Sequence, residues 1–273
     1  EREKVATLKT QAEALLNSIH YKNTSNDPTA RSGADRVGIK VVSITDSGSD
    51  GGAHDAVAAV GTEALVAVAP TNDAPTLTAT ALDPTYVENS AAENIFSNAS
   101  ASTIETGDRV DELVIEVSGI LDGNVEKLTL DGEAIDLAPN PSTTGTTTNS
   151  GYDYTISYSS GTATITVTGI SSSTMTVAQT AALVNGLKYS IDSDAPTSGT
   201  RTVEIKSISD DAGSNDTTTL TGISSDITVT PEEDLPTISF PSEAYVTEKT
   251  SDVPAGAVVG DPDAPFEISG INV

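Results

Sequence analysis

The chain runs to 273 residues with 36% hydrophobic content, enough for one large domain or two ordinary ones built around a core. Thirteen Lys and Arg face 40 Asp and Glu, a net charge of −27; with no Lys/Arg cluster to displace counterions, nucleic acid is excluded as an expected partner, and cations become the partner to look for. Without cysteine there is no disulfide framework, zinc–thiolate site or thiol nucleophile, and no run of 18 apolar residues is present to span a bilayer.

In chain order, the opening "EREKVATLKT" has no apolar core followed by a small-residue cleavage site, so no signal peptide is expected there. Leu8, Ala12, Leu15 and Ile19 fall at helical spacing and predict a helix leading into "ALLNSIHY" (14–21). That block returns 168 residues later as "ALVNGLKY" (182–189). Four further stretches return in the same order: "VGIK" at Val37 as "VEIK" at Val203, "DSG" at Asp46 as "DAG" at Asp211, "VAPTNDAPTL" at Val68 as "VTPEEDLPTI" at Val229, and "YVEN" at Tyr86 as "YVTE" at Tyr245. An ordered recurrence of this kind is the signature of internal repeats. It divides the chain into the C-terminal part of one repeat (1–75), a complete repeat (76–235) and the N-terminal part of the next (236–273). The Pro-acid-Pro stretches mark the boundaries, because each Pro removes a backbone donor and fixes φ.

Within 76–235 the apolar period is that of strands. Strands are expected at 77–80, 85–88, 112–119, 125–130, 134–137, 152–158, 162–170, 203–209 and 225–230. Leu113, Ile115 and Val117 face inward in one of them, and Ala163, Ile165 and Val167 in another. The polar "APNPSTTGTTTNSG" (138–151) reads as a flexible loop. "TVAQTAALVNGL" opens on a capping-box pattern, Thr176 with Gln179, and carries Val177, Ala181, Val184 and Leu187 as an apolar stripe; it predicts one short helix closing an edge or end of a β-sandwich.

The acids gather near the linkers and turns: Asp46, Asp73, Glu88, Asp108 and Asp111 about the first boundary, and Asp210, Asp211, Glu232, Glu233, Asp234, Glu248, Asp261 and Asp263 about the second. Two readings stand. One is a solvated acidic surface. The other is a set of calcium sites, since calcium takes about 6–8 hard oxygen ligands and two carboxylates about 4 Å apart repel by roughly 4 kcal/mol at an effective dielectric near 20. On the calcium reading, Asp211, Asp234 and Glu248 converge at one pole of the sandwich. An EF-hand starting at Asp46 fails, with Gly48 at position three and Val57 at position twelve. Tyr152, Tyr154 and Tyr158 offer an aromatic face, but with three Phe and no Trp in the chain they are expected in packing before sugar stacking. The two histidines, His20 and His54, are scattered and lack a nucleophile motif, so no enzyme is expected.

The boundary "PTNDAPTL", the strand "TYVEN", the block "ALVNGLKY" with "DAPTSGTRTVEIKSISDDAG", and "VSGILDG" resemble the tandem cadherin-like and immunoglobulin-like repeats of very long bacterial surface adhesins, including those of the repeats-in-toxin type. The resemblance implies a mainly β fold of Greek-key sandwich repeats in tandem, each with one short helix. It also implies calcium at the junctions, export by type I secretion to the cell surface or medium, and a role as an extender in adhesion or biofilm attachment. The implied partners are neighbouring repeats and host or biofilm glycans or proteins. By position Asp73 and Asp234 match the family's junction Asp, and Glu88 the Glu of its first strand. The junction pattern D-x-N-D-x-x-P departs here: Pro70 stands where its first Asp belongs, and Glu232-Glu233 replace the Thr-Asn pair of the other copy. A glycan- or peptide-binding module is the alternative function, and an accessory module of a secreted enzyme a more distant one.

Overall fold

A computed structural model describes residues 2–28, 36–45, 56–57, 63–69, 71–171, 173–235, 237–239 and 258–260. They divide into two compact units, Glu1–Asp73 with Ile104–Thr106, and Ala74–Thr103 with Gly107–Val273. The first unit carries α1 (Arg2–Asn17), β1 (Arg36–Lys40), β2 (Ile44–Thr45), β3 (Ala56–Val57) and β4 (Glu63–Ala67). β1 pairs antiparallel with β4, Val37 opposite Val66, and β2 with β3.

The second unit is mainly β. It opens with β5 (Thr76–Ala81), β6 (Thr85–Val87), β7 (Glu93–Asn94), β8 (Phe96–Ser102) and β9 (Val110–Ser118), and continues through a 3-10 turn (Gly123–Val125) to β10 (Glu126–Leu130), β11 (Glu133–Asp136) and β12 (Thr143–Thr146). Then come β13 (Asp153–Ser159), β14 (Thr162–Thr168), α2 (Val177–Asn185), β15 (Lys188–Ile191), β16 (Gly199–Asp210), β17 (Thr217–Thr219) and β18 (Ser224–Thr230), with β19 (Thr237–Ser239) pairing β20 (Val258–Gly260) beyond them. The larger sheet has the order β12-β13-β14-β9-β16-β18-β6, with β17 also on β16; a smaller sheet has the order β11-β10-β15-β7, and β5 pairs with β8. Neighbours in the larger sheet run antiparallel except for β6, which lies parallel to β18, Thr85 opposite Thr228 and Val87 opposite Thr230.

Alternation builds the core. Leu113, Ile115 and Val117 of β9 and Ala163, Ile165 and Val167 of β14 are buried from one sheet; Leu128 and Leu130 of β10 and Tyr189 and Ile191 of β15 meet them from the other, a sandwich-like packing of two inner faces. Two hairpins follow from their turn residues. Asp131 and Gly132 (φ +46° and +84°) join β10 to β11, and Ser160 and Gly161 (φ +52° and +82°) join β13 to β14, which is the two-residue turn whose twist matches the strands. In β16 the register slips between Ile205 and Ser207. That bulge changes which parity faces inward, so Arg201, Val203 and Ile205 are followed by Ile208 and Asp210 in burial.

Two expectations need correction. The stretch 138–151 is not a featureless loop: β12 pairs there with β13, Thr143 opposite Ile156. The apolar stripe expected on α2 is corrected at one position: Val184 and Leu187 are buried and Val177 packs against the core, but Ala181 is only half-buried, and Thr180 and Leu183 complete the inward face; the helix packs on β8, where the Asn185 side chain accepts the Ala99 N–H at 2.9 Å. The capping box is formed: Thr176 Oγ1 accepts from the Gln179 N–H, and Gln179 Oε1 from the Thr176 N–H. Among the described residues no helix is long and apolar enough to cross a membrane.

Candidate functional site

In the first unit, "NTSND" folds as a tight polar loop in which Asn23 Oδ1 accepts the Ser25 N–H at 2.9 Å and Ser25 Oγ donates to the Asp27 carbonyl. This loop and the stretch 68–73 enclose an open cleft of about 340 Å³, lined by Asn23, Ser25, Asn26, Val68, Thr71 and Asp73 among others. Residues 104–106 fold against it. Glu105 Oε1 accepts the Asp73 N–H at 3.0 Å, and Asp27 Oδ2 accepts the Thr106 N–H at 2.9 Å. Asn72 Oδ1 and Glu105 Oε2 are shut off from water. Every polar side-chain group named around this cleft offers oxygen.

Asp73 is thus the sequence-predicted residue that belongs to this cleft. Asp27, Asn72 and Glu105 were not legible as site residues. Their one signal is position, since Asn72 directly precedes Asp73 and Asp27 lies six residues after the repeated Tyr21.

The second unit holds the remaining described candidates at two separate ends. At the upstream end, β9 meets the end of β16. Asp211 Oδ1 accepts the Arg109 N–H at 2.9 Å, and the Asp211 N–H donates to the Arg109 carbonyl. Asp210 lies opposite Val110, with Oδ1 accepting from the Ala212 N–H and Oδ2 sealed in. The Asp108 carbonyl accepts from Thr103, and Asp111 is exposed. At the downstream end Glu88 is buried; its N–H donates to the Thr230 carbonyl and its Oε2 accepts the Glu232 N–H at 2.9 Å, with Asp234 half-buried beyond.

Asp211 and Asp234 therefore do not converge. β16 leaves the downstream end where Gly199 faces Val229 and reaches Asp210 eleven residues later, a run on the order of 30 Å at 3.3 Å per residue. Glu248, Asp261 and Asp263, like Asp46 and His54, lie outside the described residues. Among the described residues no three His, Cys, Asp or Glu side chains stand close enough to hold a metal; in the first-unit cleft the Asp27 and Glu105 carboxylates are turned onto backbone amides.

A buried charged cluster lies near the downstream end of the second unit. Arg201 and Glu126, both 0% exposed, pair through Nη2–Oε1 at 3.0 Å and Nε–Oε2 at 3.2 Å. Glu126 also takes the Tyr189 hydroxyl at 2.5 Å and the Leu121 and Asp122 N–H groups at 2.8 Å. Arg201 Nη2 reaches Asp122 at 2.7 Å, and Nη1 reaches the Thr197 carbonyl. Burial works against the Arg201 charge but is outweighed by Glu126, Tyr189 and Asp122, which hold its pKa above the usual value; burial and then Glu126 push the Tyr189 phenol well above its own. The sequence signal was parity, because Arg201 shares its face with Val203 and Ile205.

A second cleft, about 230 Å³, opens between β11 and the β12–β13 hairpin, with Ile135 and Ile156 among its walls and Glu133, Asp136, Thr143 and Tyr154 among its polar lining. Asp136 is paired with Lys127 at 2.6 Å, and Glu133 accepts from the Thr148 hydroxyl. Burial, then Glu133 and Asp136, raise the Tyr154 phenol pKa. Tyr152 is buried, and Tyr154 and Tyr158 pack against the core. His20 is exposed. Comparison with protein-family models, curated proteins and solved structures returned no match.

Proposed function

We propose that the chain is an extender segment of a bacterial cell-surface or secreted adhesin. In this reading, immunoglobulin- or cadherin-like Greek-key sandwich repeats stand in tandem, calcium stiffens their junctions, and the assembly serves cell adhesion or biofilm attachment. The sequence recurrence supports the modular part. The observation offered for the calcium part is the first-unit cleft, where Asp73 joins Asn23, Ser25, Asn26 and Thr71 around an opening whose polar lining offers oxygen. A hard divalent cation suits a donor set made of oxygen alone. Asp73 is the candidate ligand there; Asp27 and Glu105, turned onto backbone amides, would reach an ion only by releasing them. Glu88, Asp108, Asp111, Asp210, Asp211 and Asp234 are further candidates, as are Glu248, Asp261 and Asp263 at sequence level. Export by type I secretion, an extracellular location and neighbouring repeats as partners complete the reading, which assigns no catalysis.

The test is calorimetric titration of the full chain with calcium, alongside melting curves with calcium and with chelator. At 5 mM calcium and a Kd of about 0.1 mM, within the range of extracellular modules, the stabilisation is about 2.3 kcal/mol. Asp73→Asn with Glu105→Gln removes most of it. Flat titrations together with superimposable melting curves would reject calcium.

A second reading, a glycan- or peptide-binding module, is favoured by the cleft holding Tyr154, where an aromatic ring stands beside two carboxylates and Thr143. Hits on a glycan array that vanish in Tyr154→Ala would select it; an empty array with the calcium response intact would select the extender.

A further inference from the structure

We infer that the apolar face made by Leu15, Leu16, Ile19 and Tyr21 is a docking surface for the N-terminal half of a repeat, a segment like residues 76–168. This rests on the repeat part of the function proposed above and is independent of calcium.

Two copies of one block sit in opposite surroundings. At the constant offset of 168, Leu15, Leu16, Ile19 and Tyr21 correspond to Leu183, Val184, Leu187 and Tyr189. The first four are 70%, 39%, 50% and 40% exposed, whereas each of the second four is 3% exposed or less. Near-identical chemistry is in water in one copy and in the core in the other. Scattered exposed apolar residues are ordinary, but four within seven positions, at the end of α1 and in the irregular stretch after it, mark an interface.

The complete copy shows what covers this block. α2 packs on β8, and its Asn185 side chain binds the Ala99 N–H. The Leu187 carbonyl accepts the Ile95 N–H at 3.1 Å. The Tyr189 ring meets Tyr86 edge-on at 5.8 Å, and its hydroxyl donates to Glu126. Every one of these groups lies N-terminal to α2, between residues 76 and 130. Asn17, the equivalent of Asn185, is present in the first copy with the apolar four, so the block keeps both its polar and its apolar means of engaging such a partner.

The experiment fuses residues 76–168 of this chain ahead of Glu1 of the full 273-residue chain. Amide hydrogen exchange is then followed at 14–21, in chelator, with the bare chain and a fusion carrying a scrambled segment as controls. The expected result is exchange at least 100-fold slower at 14–21 in the cognate fusion only. Leu15→Asp with Ile19→Asp should restore fast exchange in that fusion and leave 182–189 protected, which shows that the second unit is still folded. Equal exchange in the cognate and scrambled fusions overturns the inference. So does a bare chain already protected at 14–21 in a concentration-dependent way, since the occupant would then be a second copy. The calcium response of the bare chain is read separately, so loss of one reading does not touch the other.

Discussion

Glu126→Gln is the sharpest perturbation the second unit offers, because the two side chains match in shape and differ in charge. The native carboxylate takes five donors, from Tyr189, two nitrogens of Arg201, and the backbone amides of Leu121 and Asp122. If the Gln oxygen stays with the backbone amides, its NH₂ faces the Arg201 Nε–H, donor against donor. Arg201 then keeps only Asp122 as a charged partner. Breaking a buried pair on one side costs about 3–5 kcal/mol, which for a domain of this size lowers Tm by about 10 °C. Lys127→Ala is the contrast: its partners Asp136 and Asp192 are exposed, and such pairs contribute at most about 1 kcal/mol. Urea and thermal unfolding followed by circular dichroism measure both. If Glu126→Gln falls within about 1 kcal/mol of the parent, the reasoning about a desolvated charge is refuted.

Two further outcomes are expected. The Tyr189 phenol titrates above its usual value in the folded chain, while an unfolded Tyr ionises near pH 10; its contribution is thus complete below pH 10 and declines above it, by up to about 1.4 kcal/mol per pH unit. Tyr189→Phe should flatten that alkaline slope in pH-dependent melts, and an unchanged slope would contradict the assignment. Thr176→Ala removes a formed capping box and should cost about 1 kcal/mol in urea unfolding, with faster amide exchange confined to the first turn of α2.

Strands that bury one clean face were readable in advance. β9 and β14 alternate Leu, Ile and Val with polar residues, and their positions follow from that alone. β8, "FSNASAS", escaped because after Phe96 its inward residues are alanines and its partner β5 lies some twenty residues away, so neither a sustained apolar alternation nor a turn announces the pairing. β12 escaped for a related reason: Thr-Thr-Gly-Thr at a sheet edge carries no apolar signal. The bulge after Ile205 depends on β9 across the sheet, and it decides that Asp210 faces inward. The candidate cleft was legible at Asp73, where Pro and acid mark a boundary, but Asp27 and Glu105 reach it through chain folding that no local pattern encodes.

The parallel pairing of β6 with β18 has a mechanical consequence. Tension that reaches β6 from its N-terminal end and β18 from its C-terminal end drags the two strands in opposite senses along their shared axis, so the bonds from Thr228 to Pro84 and from Glu88 to Thr230 lie across the load and must rupture together. A hairpin pulled from its open end unzips one rung at a time; this geometry shears, and its resistance to tension is set by the whole clasp at once.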